Sequence, residues 1–285
     1  MNFDVVICVG VKDVFIVKKT IKYVLLHIHP RKIFLITNPR FFNFFKSIQK
    51  KYVEVTLINE SQLIDGVDIT VTRRLVNAHF INGMRAGWYF QQFLKMGFAL
   101  SQYAKDYYLV WDADTIPTSD LNFFSESGSV LMAQKEEYHT PYFETMSRLI
   151  GLGKSVDFSF IAEHMMFNVT YMQELIEKIS SSSISGSNWC EKIINATNPN
   201  TGLAFSEFET YGTFIHTYHP QSVEYRHLHT MRHAGRLFGR LIKDYEIKEF
   251  EGVTHTISLE AGDFPHGIRK WGALLQLVFL RIFRP

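Results

Sequence analysis

The stretch YYLVWDADTIP, residues 107–117, joins five apolar or aromatic residues directly to the pair Asp112 and Asp114. A short apolar run of this length, ended by a polar turn, predicts a buried β-strand over 107–111. In open α/β sheets, ligands bind beyond the carboxyl ends of the strands, so the position of the two carboxylates favours a binding site. Because side chains at i and i+2 of an extended chain point to the same side, we expect both carboxylates to face one point.

Two carboxylates held close together repel each other unless a cation neutralises them. A hard divalent ion, bound by Asp112 and Asp114 and completed by the oxygens of a diphosphate, removes that repulsion. The alternative is that both are turn or helix-cap aspartates, which is a common role of Asp after a strand. The strands predicted upstream favour the binding site.

Alternating strands and helices precede this stretch. Further strands are predicted at 3–10 (FDVVICVG), 32–38, 53–59 and, downstream, 130–135. Helical segments lie between the first three, and a mostly apolar helix is predicted over 84–103 after a looser stretch at 60–83. Strands separated by helices predict βαβ units and a parallel sheet with both faces covered. The predicted fold class is therefore α/β.

The composition is that of a folded, near-neutral protein. Of its 285 residues, 46% are apolar and 20% charged, and the formal net charge is +2. The chain is long enough for a full core and is neither disordered nor collagen-like. So small a charge argues against a protein that coats DNA or RNA. Cys8 and Cys190 form neither a disulfide framework nor a zinc cluster, which indicates a reducing cytosol. Neither a signal peptide nor a membrane-spanning helix is predicted.

Three sequence blocks carry a resemblance to a known class. GWYFQQFLKM (87–96), VWDADTIP (110–117) and SEFETYG (206–212) occur in this order. The chain resembles a GT-A glycosyltransferase of the D-x-D type, and more narrowly a bacterial glycosyltransferase-like family linked to surface polysaccharide synthesis, such as lipopolysaccharide or capsule. The resemblance covers about residues 3–240.

The resemblance implies a domain organisation. It implies a GT-A Rossmann-like nucleotide-binding sheet with helices on both faces, forming a GT-A domain over 1–240. The donor-binding half would be about 1–135 and the acceptor-binding half 136–240. A helical, basic C-terminal extension would follow over 241–285.

The resemblance also implies a reaction and its cofactors. A sugar would pass from a nucleotide-sugar donor, typically a UDP-sugar, to a surface polysaccharide or lipid-linked glycan. A divalent Mn²⁺ or Mg²⁺ would bridge the diphosphate to Asp114, while Asp112 contacts the ribose or, through water, the metal. A C-terminal histidine would complete the metal shell, and we choose His229, with His233 and His266 behind it. His229 and His233 are four apart, a spacing that lets two ligands share a metal on a helix. The alternative is that these are surface or phosphate-contacting histidines.

In GT-A enzymes the nucleotide lies over the ends of the first strands, so the resemblance implies donor contacts at the positions that follow those strands here. The expected contacts are Val9, Gly10, Val11, Asp13, Thr37 and Asn38. Gly10 lets backbone approach a ligand closely, or is an ordinary turn glycine. On the helix over 84–103, Gln91 and Lys95 share a face, with Arg85 and Gln92 beside them. Lys95 either reaches the diphosphate or extends to solvent. On the first alternative, Lys95→Ala weakens donor binding more than it lowers stability.

An inverting transferase needs a general base for the acceptor hydroxyl. Glu207 and Glu209 are the candidates, and since i and i+2 point to different helix faces, at most one faces the sugar. The place of Glu207 in the block SEFETYG, which carries the family resemblance, favours Glu207 as the base. The alternative is that Ser206 caps a helix whose first turn holds both carboxylates. Glu163 and His164, before an apolar strand, are candidates for acceptor contact or for a structural hydrogen bond.

Rival functions remain open. Haloacid-dehalogenase-like phosphatases share a strand followed by D-x-D, but here Ile116 and Pro117 depart from their pattern. A catalytically inactive GT-A-like protein that binds nucleotide or glycan is the other rival. Arg232, Arg236 and Arg240 are four apart, and such a basic stripe suits a pyrophosphate or a solvated helix face.

The last residues, 268–285, combine basic ends with an apolar middle and contain no acid. This pattern favours an interfacial helix at the inner face of the cell membrane, with Phe279 and Phe283 among the residues that enter the lipid. The alternative is a helix docked on the core or on a dimer partner.

Overall fold

A computed structural model describes residues 2–81 and 85–282. Its strands are β1 (Asp4–Val9), β2 (Ile33–Thr37), β3 (Val55–Asn59), β4 (Tyr107–Trp111), β5 (Thr115–Pro117), β6 (Val130–Gln134), β7 (His164–Asn168), β8 (Val223–His227), β9 (Thr230–Met231) and β10 (Thr256–Ser258). Its helices are α1 (Val17–His27), α2 (Phe42–Lys51), α3 (Ile69–His79), α4 (Ala86–Gly97), α5 (Thr140–Ile150), α6 (Val169–Ser180), α7 (Trp189–Ala196), α8 (Glu207–Tyr218), α9 (Gly235–Phe238), α10 (Asp244–Ile247) and α11 (Gly267–Ile282).

A five-stranded sheet in the order β3-β2-β1-β4-β7 forms the centre of the molecule. The first four strands run parallel, and β7 pairs antiparallel with β4 at one edge. Every residue of β1 and β2 is buried, as expected for parallel strands that are covered on both faces. The α/β prediction is therefore confirmed, and β4 brings residues 112–114 to the carboxyl edge of this sheet.

Two smaller sheets complete the fold. In the first, β10 lies between β5 and β9. In the second, β6 pairs in parallel with β8. The backbone N–H of Leu259 donates to the carbonyl of Asp114 at 2.9 Å, which ties the end of β10 to the D-x-D turn. Residues beyond 240 thus contribute β10 to a sheet that includes β5, next to the D-x-D turn.

Apolar side chains gather in two cores. The larger core fills the space between the central sheet and its helices. The second lies under the C-terminal residues, where Ile16 and Tyr23 meet Ile116, Ile257 and residues of α9 and α11. Because α1 faces this second core, the C-terminal segment packs against the nucleotide-binding half expected from the sequence.

The structure differs from the sequence-based expectations in two places. The stretch expected to be loose contains α3, which Asp68 caps by accepting a hydrogen bond from Val71 N at 2.8 Å. β-Branched residues lower the helix propensity of this segment, so the cap and tertiary packing decide its conformation. His229 and His233 could share a metal only on a helix, but the residues around them form β8, β9 and a turn before α9, so the helical spacing assumed for them was wrong.

The C-terminal helix α11 is docked on one side only. Ala273 and Leu277 are buried in the second core. Ile268, Trp271 and Leu275 are at least two-thirds exposed, on another face of the same helix. Phe283 and Arg284 lie outside the described residues, as does the side chain of Phe279. No helix among residues 2–81 and 85–282 is long and apolar enough to cross a membrane.

Candidate active site

The two aspartates after β4 lie in a tight turn rather than on an extended strand. Thr115 N donates to the carbonyl of Asp112 at 3.2 Å, which closes the turn between β4 and β5. Both Asp112 and Asp114 nevertheless line one cavity of about 660 Å³. The turn, and not the alternation of a strand, therefore brings the two carboxylates to the same space.

The cavity lined by Asp112 and Asp114, called the polar cavity below, is strongly charged. Six carboxylates and four cationic side chains line it, an excess of two negative charges. The carboxylates are those of Asp13, Asp112, Asp114, Glu163, Glu207 and Glu260, and the cations are Lys12, Arg85, Lys95 and Arg232. An anionic ligand would meet net repulsion here unless a cation entered with it.

Asp114 carries the most perturbed carboxylate of the polar cavity. Burial, together with the charges of Asp112 and Asp13, raises its pKa from 3.8 to about 7. No cationic side chain of the described residues lies within ion-pair distance of it. Burial also raises the pKa of Asp13, although Arg240 donates to its Oδ1 at 2.6 Å. A partly buried carboxylate without a counter-charge is a strong candidate for a cation ligand.

Lys95 lies at the centre of a buried ion-pair triad. Its Nζ donates to Asp112 Oδ1 at 2.9 Å and to Glu207 Oε1 at 2.8 Å. Burial alone would lower the pKa of Lys95, but the two carboxylates raise it, so the lysine stays charged. Lys95 is 5% exposed, so the alternative in which it extends to solvent was wrong.

Glu207 and Glu209 point to different places from the first turn of α8. Glu207 lines the polar cavity, and its backbone N–H donates to Gln92 Oε1 at 3.1 Å. Glu209 accepts hydrogen bonds from Ser159 Oγ at 2.8 Å and Phe160 N at 3.0 Å. It lines neither the polar cavity nor the second cavity that adjoins it. Ser206 caps the helix, as its position predicts.

Gly212 lets α8 pack closely against Phe160, in the segment that donates hydrogen bonds to the Glu209 carboxylate. A Cβ on Gly212 would come within 2.2 Å of the Phe160 ring. The block SEFETYG thus combines the cap, the cavity carboxylate Glu207 and a close packing position.

A second cavity of about 510 Å³, called the apolar cavity below, adjoins the first. Lys12, Asp13, Arg85, Trp88 and Gln91 line both cavities. Of the positions expected to bind the donor, Val9, Gly10 and Val11 also line the apolar cavity. The walls are formed mainly by buried side chains of β1, β2 and α4, including Cys8, Ile36, Phe90 and Leu94.

Asn38 and Thr37, which were also expected at the donor, line neither cavity. Thr37 Oγ1 donates to the carbonyl of Val9 at 3.0 Å. Asn38 Nδ2 donates to Glu60 Oε1 at 3.0 Å, and it is Glu60 that lines the apolar cavity. Glu60 directly follows β3, so the rule that singled out Asp112 would have found it too.

The histidines expected at the metal lie outside both cavities. The backbone N–H of His229 donates to His255 Nδ1 at 3.0 Å, and the two rings stack. His233 Nδ1 lies 3.1 Å from Asp263 Oδ1, and His266 Nδ1 lies 3.3 Å from its near neighbour, the Phe264 carbonyl. Within the described ranges, no cluster of three or more His, Cys, Asp or Glu side chains has metal-binding geometry.

The basic stripe expected from Arg232, Arg236 and Arg240 does not form, because each arginine pairs with carboxylates in a different place. Arg232 lies at the polar cavity beside Glu137, Glu163 and Glu260. Arg236 pairs with Asp263 at 3.4 Å. Arg240 donates to Asp13 and to the carbonyls of Lys12 and Leu259. Arg240 thereby links the loop after β1 to the end of β10. Arg236 lies on α9, whereas Arg232 and Arg240 lie outside the helices, so the three do not form one helix face.

Glu163 and His164 are neighbours in the sequence, but their side chains lie in different surroundings. Glu163 lines the polar cavity and pairs with Lys135 at 3.1 Å. His164 is buried and stacks on Trp111 with 4.6 Å between ring centroids. Burial lowers the pKa of His164 well below its ordinary value, so its ring is neutral.

Sequence reasoning missed residues 258–262, of which Ser258, Glu260, Ala261 and Gly262 line the polar cavity. These residues reach the site through the pairing of β10 with β5, a long-range contact that no local pattern encodes.

Known proteins resemble this chain at the level of family and fold. Residues 16–241 match the model of the Family of unknown function (DUF6492). No curated protein matches the chain. A structure of the galactosyltransferase LgtC in complex with donor and acceptor sugar analogs is similar over 98% of this chain and 95% of its own, with 12% identity and a TM-score of 0.49.

Two further solved structures show similar values. Mouse xyloside xylosyltransferase 1 in its apo form covers 92% of this chain and 99% of its own, with 11% identity and a TM-score of 0.44. The bifunctional glycosyltransferase WbbM in its apo form covers 97% of this chain and 49% of its own, with 13% identity and a TM-score of 0.47. All three are glycosyltransferases, the class that the sequence blocks resemble, and likeness at this level assigns no activity to this chain.

Proposed function

The chain belongs to the Family of unknown function (DUF6492), and from the geometry of its polar cavity we propose that it is a metal-dependent glycosyltransferase that uses a nucleotide-sugar donor. One observation carries this proposal. Asp114, with its raised pKa, and Asp112 face a cavity with an excess of negative charge at the carboxyl edge of a parallel sheet. A divalent cation together with a diphosphate satisfies both the unpaired carboxylate and the cationic side chains around it.

The residues present fit a hard divalent ion such as Mn²⁺ or Mg²⁺. Asp112 and Asp114 supply carboxylate oxygens, and a donor diphosphate would supply further oxygen ligands. When bound, the ion stabilises the negative charge that develops on the departing diphosphate. We propose no histidine ligand, because His229, His233 and His266 lie outside the cavity.

The chain's own cations hold the phosphates. Lys12 and Arg85 line the junction of the two cavities, and Arg232 lines the polar one. Since guanidinium groups bind phosphate oxygens in a bidentate manner, Arg85 is suited to orient the diphosphate, whereas Arg232 is held by Glu137, Glu163 and Glu260. Lys95 is engaged by Asp112 and Glu207, so we assign it to positioning these carboxylates rather than to binding phosphate.

We propose Glu207 as the general base of an inverting transfer. Lys95 occupies its Oε1, and its Oε2 accepts no hydrogen bond from the described residues. An acceptor hydroxyl in the polar cavity can therefore donate its proton to Oε2 while attacking the sugar from the face opposite the diphosphate. Glu209 has no such access.

Glu207→Gln should reduce transfer by about 10²–10⁴-fold, the usual contribution of a positioned base. Donor affinity should stay within about threefold, because the glutamine Oε1 still accepts from Lys95. Initial rates and calorimetric donor titrations measure the two effects. Glu209→Gln is the matched control and should keep transfer. Near-normal turnover by Glu207→Gln would instead point to another base or to a retaining reaction.

A thermal-shift panel tests the function as a whole. Nucleoside diphosphates and nucleotide sugars, including UDP-sugars, should raise the melting temperature with Mn²⁺ and much less with a chelator. A shift that ignores the metal, with no donor turnover, would support a nucleotide- or glycan-binding protein instead. Phosphate release from aryl phosphates would support the phosphatase.

We further propose that the acceptor is a surface polysaccharide or lipid-linked glycan and that the enzyme works at the inner face of the cell membrane. The exposed face of α11 carries Ile268, Trp271 and Leu275, with Arg269, Lys270 and Arg281 on the same helix. An apolar stripe flanked by cations suits an interface with anionic lipid.

Trp271→Ser combined with Leu275→Ser should reduce co-sedimentation with anionic vesicles several-fold, because two exposed apolar side chains leave the interface. Deleting 268–285 is a poorer test, since it also removes Leu277 from the second core. Val53→Ser, at an even more exposed apolar residue before β3, is the control. Equal vesicle binding by all three proteins would end the membrane proposal.

A further inference from the structure

Glu60 places an unpaired carboxylate in the wall of the apolar cavity. It lines this cavity together with Ile36, Phe90 and Leu94, and burial raises its pKa. One oxygen accepts from Asn38, and no cationic side chain of the described ranges lies within ion-pair distance of it. The charge of Arg40 acts on Glu60 from farther away and opposes this rise in pKa. A half-buried carboxylate beside apolar walls is stabilised further when a ligand donates a hydrogen bond to it.

The cavity suits a flat aromatic ring. Its walls are apolar side chains of the central sheet and α4, while its polar groups are concentrated where it joins the polar cavity. A planar heterocycle buries two faces and keeps hydrogen-bonding groups at its edge, which matches apolar walls with a single carboxylate at one side.

The order of the strands in the central sheet indicates how a bound nucleotide would lie along its carboxyl edge. Asp112 and Asp114 follow β4, Gly10 and Asp13 follow β1, and Glu60 follows β3. With β2 between β1 and β3, Glu60 is three strand spacings from the D-x-D turn, about 14 Å along the sheet edge. A diphosphate at the turn and a ribose at the loop after β1 would place the nucleobase beside Glu60.

Resting on the proposed function, we propose that Glu60 selects the donor's nucleobase and admits bases with a ring N–H, namely uracil or guanine, over cytosine and adenine. Uracil offers N3–H and guanine offers N1–H with an adjacent amino group, and each donates to a carboxylate. Cytosine and adenine present a lone pair at the corresponding ring nitrogen, which the carboxylate repels. Asn38 acts as a positioning residue, because its amide fixes one Glu60 oxygen.

The test is calorimetric titration of the full chain with UDP, GDP, CDP and ADP in the presence of Mn²⁺. The wild type should bind UDP or GDP about 10- to 100-fold more tightly than CDP and ADP, the usual range for a hydrogen bond to a charged group. Glu60→Gln should remove most of this preference, because an amide offers both a donor and an acceptor. Glu126→Gln, at an exposed glutamate outside the cavities, should leave it unchanged.

The outcomes are distinguishable. Equal binding of all four diphosphates by the wild type would overturn the role of Glu60 while leaving the donor site standing. An equal loss for all four in Glu60→Gln, matched by weaker binding of 2′-deoxy-UDP to the wild type, would place Glu60 at the ribose and overturn base selection. No binding of any diphosphate would overturn the proposed function and this inference together. If Glu60→Gln does not fold, equal binding of the four diphosphates by the wild type would still overturn the inference.

Discussion

Asp114→Asn should abolish transfer and yet melt at a higher temperature than the wild type in metal-free buffer at pH 8. Transfer should fall by at least about 10²–10³-fold, because the variant loses a charged oxygen at the point where the metal stabilises the leaving diphosphate. Stability should rise because the wild type holds a partly buried carboxylate beside Asp112 and Asp13 with no cation at ion-pair distance among the described residues. The amide removes that repulsion.

The stability difference should depend on pH in a defined direction. The pKa of Asp114 in the folded protein is raised from 3.8 to about 7, so the folded state holds its proton more tightly than the unfolded state. This contribution to wild-type stability is complete below about pH 4 and is lost as the pH rises through 7. The variant lacks the titrating group, so its advantage should grow between pH 5.5 and pH 8.

The melting temperatures of the wild type and of Asp114→Asn should also be compared with and without Mn²⁺. The metal should raise the melting temperature of the wild type, because it binds the ionised carboxylate of the folded state only, and should hardly affect the variant. Asp106→Asn, at an exposed aspartate whose side chain forms no hydrogen bond or ion pair with the described residues, is the control and should change neither property. A variant that still responds to Mn²⁺ as the wild type does would remove Asp114 from the metal site.

The sequence predicts the central part of the fold because burial there is local and periodic. β1, β2 and β4 are short apolar runs followed by a glycine or a polar residue, and such runs encode buried parallel strands directly. The same pattern locates Asp112 and Asp114. In contrast, α3 is rich in β-branched residues, and its start is determined by the Asp68 cap.

The rest of the site depends on contacts between distant segments. β10 is three residues long, and it gains its place beside β5 only through pairing across more than 130 residues. Its neighbours Glu260 and Ser258 therefore reach the polar cavity without a local signal. The helical spacing assumed for His229 and His233 is absent because β8 and β9 occupy that stretch, and both residues lie outside the polar cavity.

Lys95→Met should lower the free energy of unfolding by about 3–5 kcal/mol, the usual penalty when one partner of a buried ion pair is removed. The side chains of Lys95 and Glu207 are 7% and 6% exposed, so the remaining carboxylate cannot recover its hydration. Asp112 is 31% exposed and contributes less, since water screens its pair. The geometry thus reverses the order expected from the sequence, in which donor binding suffers more than stability.

A double-variant cycle separates the ion pair from a direct contact with the donor. Lys95→Met combined with Glu207→Gln should recover much of the lost stability, because the double variant no longer buries an unpaired charge. Lys105→Met, at an exposed lysine, should stay within about 0.5 kcal/mol of the wild type. If Lys95→Met instead loses less than about 1 kcal/mol while donor affinity falls tenfold or more, the lysine binds the diphosphate itself, and the triad would have to open when the donor enters.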